Sequence, residues 1–206
     1  MTPEGLPLVA IRHAPTEWNK ARRLQGRTDV ALGAEGIAAA QSWRANPGWG
    51  AYRVLASPLK RAQETARLLF PEREIALDPR LMEMDFGAWE GKSLAELRAA
   101  PGAEAEAREQ LGLDFSAPDG ETPRQVQARL QPLLNEIAAA RVPTIIVTHK
   151  AVLRALLSLA TGWDMLGKPP VKLKPDSAHL FRLDAAAKLA VERMNVSLLP
   201  QEAVPQ

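Results

Sequence analysis

The sequence has no cysteine, which removes disulfides, thiol nucleophiles and thiolate metal sites together. No apolar run approaches the ~18 residues of a membrane span, so no membrane partner is expected. Charge of one sign is also scarce: 26 Lys and Arg against 24 Asp and Glu leave a formal net charge of +2. The pI of 9.1 follows from the three histidines, one tyrosine and absent cysteines, because little then titrates between neutrality and the lysine range. Nucleic-acid binding needs clustered basic residues. The nearest cluster, Lys20, Arg22, Arg23 and Arg27, fits a solvated loop at least as well as an attractor for a small anion, so no nucleic-acid partner is expected. The sequence also lacks a GxxxxGK[ST] loop, an HExxH pair and any aspartate cluster suited to Mg²⁺, which leaves no metal and no cofactor to expect. The start, MTPEGLPLVAIRH, carries no basic segment followed by a long apolar one, and a cytoplasmic location is the expectation.

What is present is ordinary in bulk and specific in detail. With 206 residues, 46% of them hydrophobic, the chain should form one domain over 1–206 around a sizeable core. Strand and helix patterns alternate: Leu8–Ile11 as a strand, Ala34–Ala45 as an Ala-rich helix capped by Gly33, Tyr52–Pro58 as a strand, and Leu59–Phe70 as a helix. REIALD reads as a short strand and SLAELRAA as a short helix. The acid-rich residues 101–121 read as a helical excursion or flap. In 123–140, Val126, Leu130, Leu133, Leu134 and Ile137 fall on one helical stripe, and Pro132 is expected to kink or split that helix. Thr144–His149 is an apolar strand followed by a buried-looking helix, and AHLFRLD with KLAVERMNV suggests a closing antiparallel pair before a tail at 197–206. Alternating βαβ units imply an α/β fold with a mainly parallel sheet, in which sites gather at the carboxyl ends of strands.

That rule gives meaning to an Arg-His pair, Arg12 and His13, at the end of the first strand. His149 ends a second strand. Ser57 and Pro58 end a third, with Arg61 in the first turn of the helix that follows. Two arginine forks facing one pocket suit a tetrahedral phosphate, and helix N-termini after Pro58 and near His149 would add backbone N–H donors.

Six blocks in order, LVAIRHAPTEWN, LQGRTDVALGAEG, SPLKRAQETA, LMEMDFGAWEGKS, PDGETPRQVQARL and IIVTHKAVLRALL, resemble the histidine phosphatase superfamily, the phosphoglycerate mutase-like proteins, over about residues 6 to 196. The style is closer to short phosphatases, such as α-ribazole phosphatase and broad-specificity phosphatases, than to glycolytic mutases, which usually carry a longer insertion between the acid and the second His. The resemblance implies a three-layer α/β/α sandwich and a metal-independent phosphomonoesterase acting on a small phosphorylated substrate. It implies His13 as the nucleophile, Arg12, Arg61 and His149 as the phosphate clamp, and Glu83 as the general acid, with Asp85 and Glu90 as competitors for that last role. Asn19, Gln25 and Gly26 match phosphate- or substrate-contacting positions, although Gln25 reads equally as a loop residue.

Three positions depart from the family's pattern. Ala14 and Lys150 stand where glycines follow the two histidines, and Gly33 replaces a frequent Thr. Ala14 is tolerable if its φ is negative, and Lys150 adds a movable cation at the rim that can tune substrate choice. His179 reads as a strand residue, Trp18 and Trp89 as packing groups, Glu121 as a structural acid, and Lys168, Lys172 and Lys174 as a solvated loop. Two alternative functions stay open: a phosphoglycerate mutase, and a non-catalytic phosphate-binding regulator. A regulator would need the arginines but no acid. The sequence is silent on oligomeric state.

Overall fold

The computed structural model describes residues 4–100 and 105–200. In chain order the elements are β1 Leu6–Arg12, α1 Glu17–Lys20, α2 Ala34–Ser42, β2 Arg53–Ala56, α3 Lys60–Leu69, β3 Ile75–Leu77, α4 Leu94–Ala99, α5 Ala105–Glu109, α6 Pro123–Ala140, β4 Thr144–Thr148, α7 Lys150–Thr161, β5 Ser177–Leu183 and β6 Leu189–Ser197. The strands form one sheet in the order β3-β2-β4-β1-β5-β6. Strands β3, β2, β4 and β1 run parallel, and β5 pairs antiparallel with both β1 and β6.

Strand alternation sends successive side chains to opposite faces, and β1 feeds two cores in this way. Leu8 and Ala10 join Leu130, Leu134, Leu153 and Leu156 of α6 and α7. Val9 and Ile11 join Ala40 of α2 and Ala62, Ala66 and Leu69 of α3. A sheet so covered on both faces by helices is the expected three-layer α/β/α sandwich.

Helix α6 begins with a Thr122–Gln125 capping box and Pro123 in its first turn, a favoured start because that N–H has no helical partner. Pro132 does not split it: the helix is continuous over 18 residues. The proline faces solvent, while Leu130, Leu133 and Leu134 on either side are buried in one core, and that burial holds the helix across the missing hydrogen bond.

The C-terminus also differs from expectation. Ser197 belongs to β6, and Leu198 is buried, accepting from Arg44 N–H and donating to the Asp176 carbonyl. The tail expected from 197 therefore starts later, and residues 201–206 lie outside the described ones. Of the expected flap, 101–104 also lie outside. The remainder forms α5 and a 3-10 turn at Gly112–Asp114, with Ala105, Ala117 and Phe115 packed on Trp89.

The parallel register sets Arg12 beside Thr148, and His13 N–H donates to the Thr148 carbonyl. The carboxyl ends of β1, β4 and β2 therefore share one rim.

Candidate active site

At that rim the histidine rings of His13 and His149 lie 5.2 Å apart between centroids. His13 Nδ1 is 2.7 Å from the Ala14 carbonyl, an acceptor only, so Nδ1 carries the proton and the Nε2 lone pair is left uncommitted. Ala14 is held in turn by Thr65: Ala14 N–H donates to its hydroxyl, which donates to the Arg61 carbonyl. Ala14 is not among the positive-φ residues, so its methyl group is accommodated where the family has glycine.

His149 is completely buried, with Nε2 2.7 Å from the Ser57 hydroxyl. Ser57 Oγ already accepts from Leu59 N–H at 3.3 Å. Ser57 Oγ keeps a second lone pair, so it either accepts from Nε2–H or donates to Nε2; the donating form places the ring proton of His149 on Nδ1. That nitrogen is buried and has no partner. Burial and the guanidinium groups of Arg12 and Arg61 hold both imidazoles well below the ordinary histidine range, so both are neutral near pH 7.

Arg61 is buried with 0% exposure. Its two terminal nitrogens donate to the carbonyls of Gly26 and Thr28 at 2.7 and 2.9 Å. Its Nε and that of Arg12 are buried without partners. Burial lowers the pKa of both arginines, and Glu83 opposes the shift. Two guanidinium N–H groups are thus unsatisfied donors, with the unpartnered His149 Nδ1 and a free His13 nitrogen beside them. Buried donors left without partners are costly, and a ligand with several anionic oxygens would satisfy them.

The structure separates the three acids that sequence left in competition. Glu83 is buried at the N-terminus of α7. Its Oε1 accepts from Met84 N–H at 3.0 Å and Ala151 N–H at 3.1 Å, and Oε2 shares the Ala151 N–H at 3.3 Å; Oε2, with only that longer bond, is the oxygen with more room for a proton. Burial raises the Glu83 pKa, against the hydrogen bonds from Met84 and Ala151 and the charges of Arg61 and Arg12. Asp85 Oδ1 is occupied by Gly87 N–H at 2.8 Å. Glu90 accepts from Arg27 N–H and Thr28 N–H at 2.7 and 2.8 Å and from the Thr28 hydroxyl. Glu90 fills the space beside Gly26, where an added Cβ would lie 1.7 Å from its carboxylate, and Gly26 has φ +52°. Only glycine fits there.

Gly26 therefore acts through its carbonyl on Arg61. Gln25 is buried with Oε1 unpartnered, unlike a solvated loop residue. Asn19 is only half-buried, and its oxygen is used in a capping box with Thr16. Lys150 opens α7 and is exposed. Its pKa is lowered by burial of part of the side chain and by Arg12 and Arg154.

Several supporting residues had no role in the sequence reading. Arg129 donates to the carbonyls of Arg80, Met82 and Glu83 and pairs with Glu121 at 2.8 Å, strapping down the loop that carries Glu83. Thr148 holds the same loop through the Leu81 carbonyl at 2.7 Å. Ser57 was legible as a strand end, but its histidine is 92 residues away. Glu121 is structural, as expected. His179 is also a strand residue, its Nδ1 accepting from Asn195 N–H where β6 is irregular. Among the described residues no three His, Asp or Glu side chains converge in a way that would hold a metal ion, and no helix is long and apolar enough to cross a membrane. A cleft of about 240 Å³ at the opposite end of β1 has no comparable cluster, and its Arg182 and Glu192 pair with each other at 2.7 Å.

The chain is 30% identical over 184 residues to the "Probable phosphoglycerate mutase GpmB" of Proteus mirabilis, covering 87% of this chain and 85% of that one. Its fold matches the α-ribazole phosphatase of Shigella flexneri with a TM-score of 0.77 at 22% identity, covering 96% and 100% of the two chains. It also matches a mycobacterial glucosyl-3-phosphoglycerate phosphatase in complex with VO3, with a TM-score of 0.74 at 27% identity, covering 93% and 100%. The model of the histidine phosphatase superfamily, branch 1, matches residues 8–196, and the chain belongs to that family.

Proposed function

We propose that this protein is a metal-independent phosphomonoesterase that works through a phosphohistidine on a small phosphorylated metabolite. The observation that carries the reading is a neutral His13 whose Nε2 lone pair is free, set among unsatisfied cationic donors and a raised-pKa acid. The Nε2 lone pair attacks phosphorus and the ester P–O bond breaks in line. Arg12, Arg61 and His149 Nδ1 hold the phosphoryl oxygens, supplying the charge stabilisation that such transfers require. The leaving alkoxide takes the proton from Glu83 Oε2. Glu83, now a carboxylate, takes a proton from water as that water attacks the phosphohistidine, which releases phosphate and restores both residues.

This reading needs His13 neutral and Glu83 protonated at once. The two pKa directions widen that window: the acid limb of the rate profile should lie below the ordinary histidine value, and the basic limb above the ordinary glutamate value. A phosphoglycerate mutase would share the first half-reaction, and the name of the Proteus mirabilis relative makes it the second reading. The test supplies 3-phosphoglycerate with its bisphosphate and follows isomerisation and phosphate release together, with and without prolonged EDTA. Hydrolysis that exceeds isomerisation and survives EDTA supports the proposal. Isomerisation many-fold faster than hydrolysis, or metal-restorable loss on chelation, overturns it.

A further inference from the structure

The phosphate cradle leaves two cations over. Lys150 and Arg154 are one helical turn apart at the start of α7 and so share a face. Helical side chains lean toward the N-terminus of their helix, here toward the rim that carries His13 and His149. Arg154 is half-buried, with its guanidinium 4.7 Å above the ring of Trp163, and Trp163 is itself fixed by its Nε1 donating to the Leu166 carbonyl at 2.9 Å. Among the described residues, no carboxylate forms an ion pair with Lys150 or Arg154.

The charges around them are of one sign. Lys150 feels Arg12 and Arg154, and Glu83 alone opposes them. In the proposed reaction Glu83 holds a proton, so its opposition is absent when substrate binds. Among the described residues, Lys172 and Lys174 also form no ion pair with an acid. Asn195 pins their loop, which leads into the start of β5 beside Arg12. Unpaired like charges on a folded helix are unfavourable, and an arginine stacked on an aromatic platform is already ordered for a planar or tetrahedral anion.

We infer that Lys150 and Arg154 form a second anion subsite, so that the preferred substrate is a phosphomonoester carrying a further anionic oxygen group a short chain away. This rests on the phosphomonoesterase reading for the first phosphate but does not depend on turnover. The test measures dissociation constants of three non-hydrolysable ligands for the wild-type chain by calorimetry at low salt. Propylphosphonate has no second anion, 2-carboxyethylphosphonate has a carboxylate, and propane-1,3-bisphosphonate has a second phosphonate. A charge-assisted contact should favour the second-anion ligands by about tenfold or more, and whichever binds tighter identifies the group. In Lys150→Gln/Arg154→Gln the preference should fall below about threefold, with propylphosphonate affinity unchanged. Lys188→Gln, which removes one charge at the far hairpin, should keep the preference. Equal binding of all three ligands, or a preference that survives the double substitution, overturns the subsite and leaves the hydrolase reading intact. Failure of all three to bind removes the phosphate site itself, and the subsite with it.

Discussion

The two walls of the cleft handle charge in opposite ways. On the wall formed by the 25–29 loop, residues 85–90 and the start of α6, nearly every charge is matched. Arg27 faces Glu121 at 3.6 Å and Asp85 at 4.0 Å, Arg129 holds Glu121 at 2.8 Å, and Glu90 is filled with loop donors. On the wall formed by the end of β1 and the start of α7, Arg12, Lys150 and Arg154 form no ion pair with a carboxylate among the described residues. The matched wall holds backbone in place, and the unmatched wall leaves its cations available for the anion proposed above. The histidines differ in their partners: His13 has Nδ1 on the Ala14 carbonyl, whereas His149 has Nε2 on the Ser57 hydroxyl and Nδ1 unpartnered.

The severest break in this contrast is His13→Ala. With no nucleophile, phosphoenzyme formation should vanish for every substrate, as read by acid-labile ³²P incorporation. Residual labelling at the wild-type rate would place the nucleophile elsewhere.

Glu83→Gln comes next. Placed proton donors contribute ~10² to 10⁴ in rate where the leaving group is basic. Single-turnover phosphoenzyme formation from an alkyl phosphate should fall by that order, while p-nitrophenyl phosphate, which expels a stabilised phenolate, should be largely spared. Equal losses on both substrates would transfer the acid's role away from Glu83, with Asp85 the next to examine.

Ser57→Ala should cost about tenfold in kcat, near the ~1.4 kcal/mol of one buried hydrogen bond. A purely structural loss would leave the tautomer alone, whereas here the ¹⁵N shifts of His149 should show Nδ1–H giving way to a mixture. An unchanged Nδ1–H signature would mean that Ser57 does not set it.

The matched wall should carry stability and the unmatched wall should not. Glu90→Ala strips four donors of their acceptor and should cost roughly 2 kcal/mol by urea melting. Lys150→Gln should stay within about 0.5 kcal/mol of wild type or rise slightly. Equal destabilisation by both would erase the distinction.

The gentlest test is pH. His179 is buried and its pKa falls to about 4, so between the unfolded value near 6.5 and that folded value only the unfolded chain takes up its proton. Stability is therefore full above about pH 6.5 and declines as pH falls, by up to roughly 3 kcal/mol from this group. His179→Gln should flatten, without abolishing, the loss of Tm between pH 7 and 4.5, since His13 and His149 shift in the same direction. An unaltered slope would show that His179 titrates normally.

The sequence by itself determined what is local or periodic. The alternation in β1 and the stripe of α6 set the layers. Strand ends placed Arg12, His13 and His149 at one rim, because in a parallel sheet the end of each strand lands at the same edge. The sequence named Glu83 through its motif alone, because Glu83, Asp85 and Glu90 are all carboxylates and close in number. Tertiary structure sets the three in different surroundings: one is buried at the start of α7, one is held by Gly87 and one by the loop at 27–28. It also decided that Gly26 serves Arg61 through its carbonyl, that Asn19 spends its oxygen on a cap, and that Pro132 leaves α6 whole. Some depend on burial, as at Glu83, and others on a partner 35 to 92 residues away, as in Arg61 with Gly26 and His149 with Ser57. A residue's type and its near neighbours do not specify a hydrogen bond across the fold; the packed layers do, by fixing which donors are dry and which acceptors remain within reach.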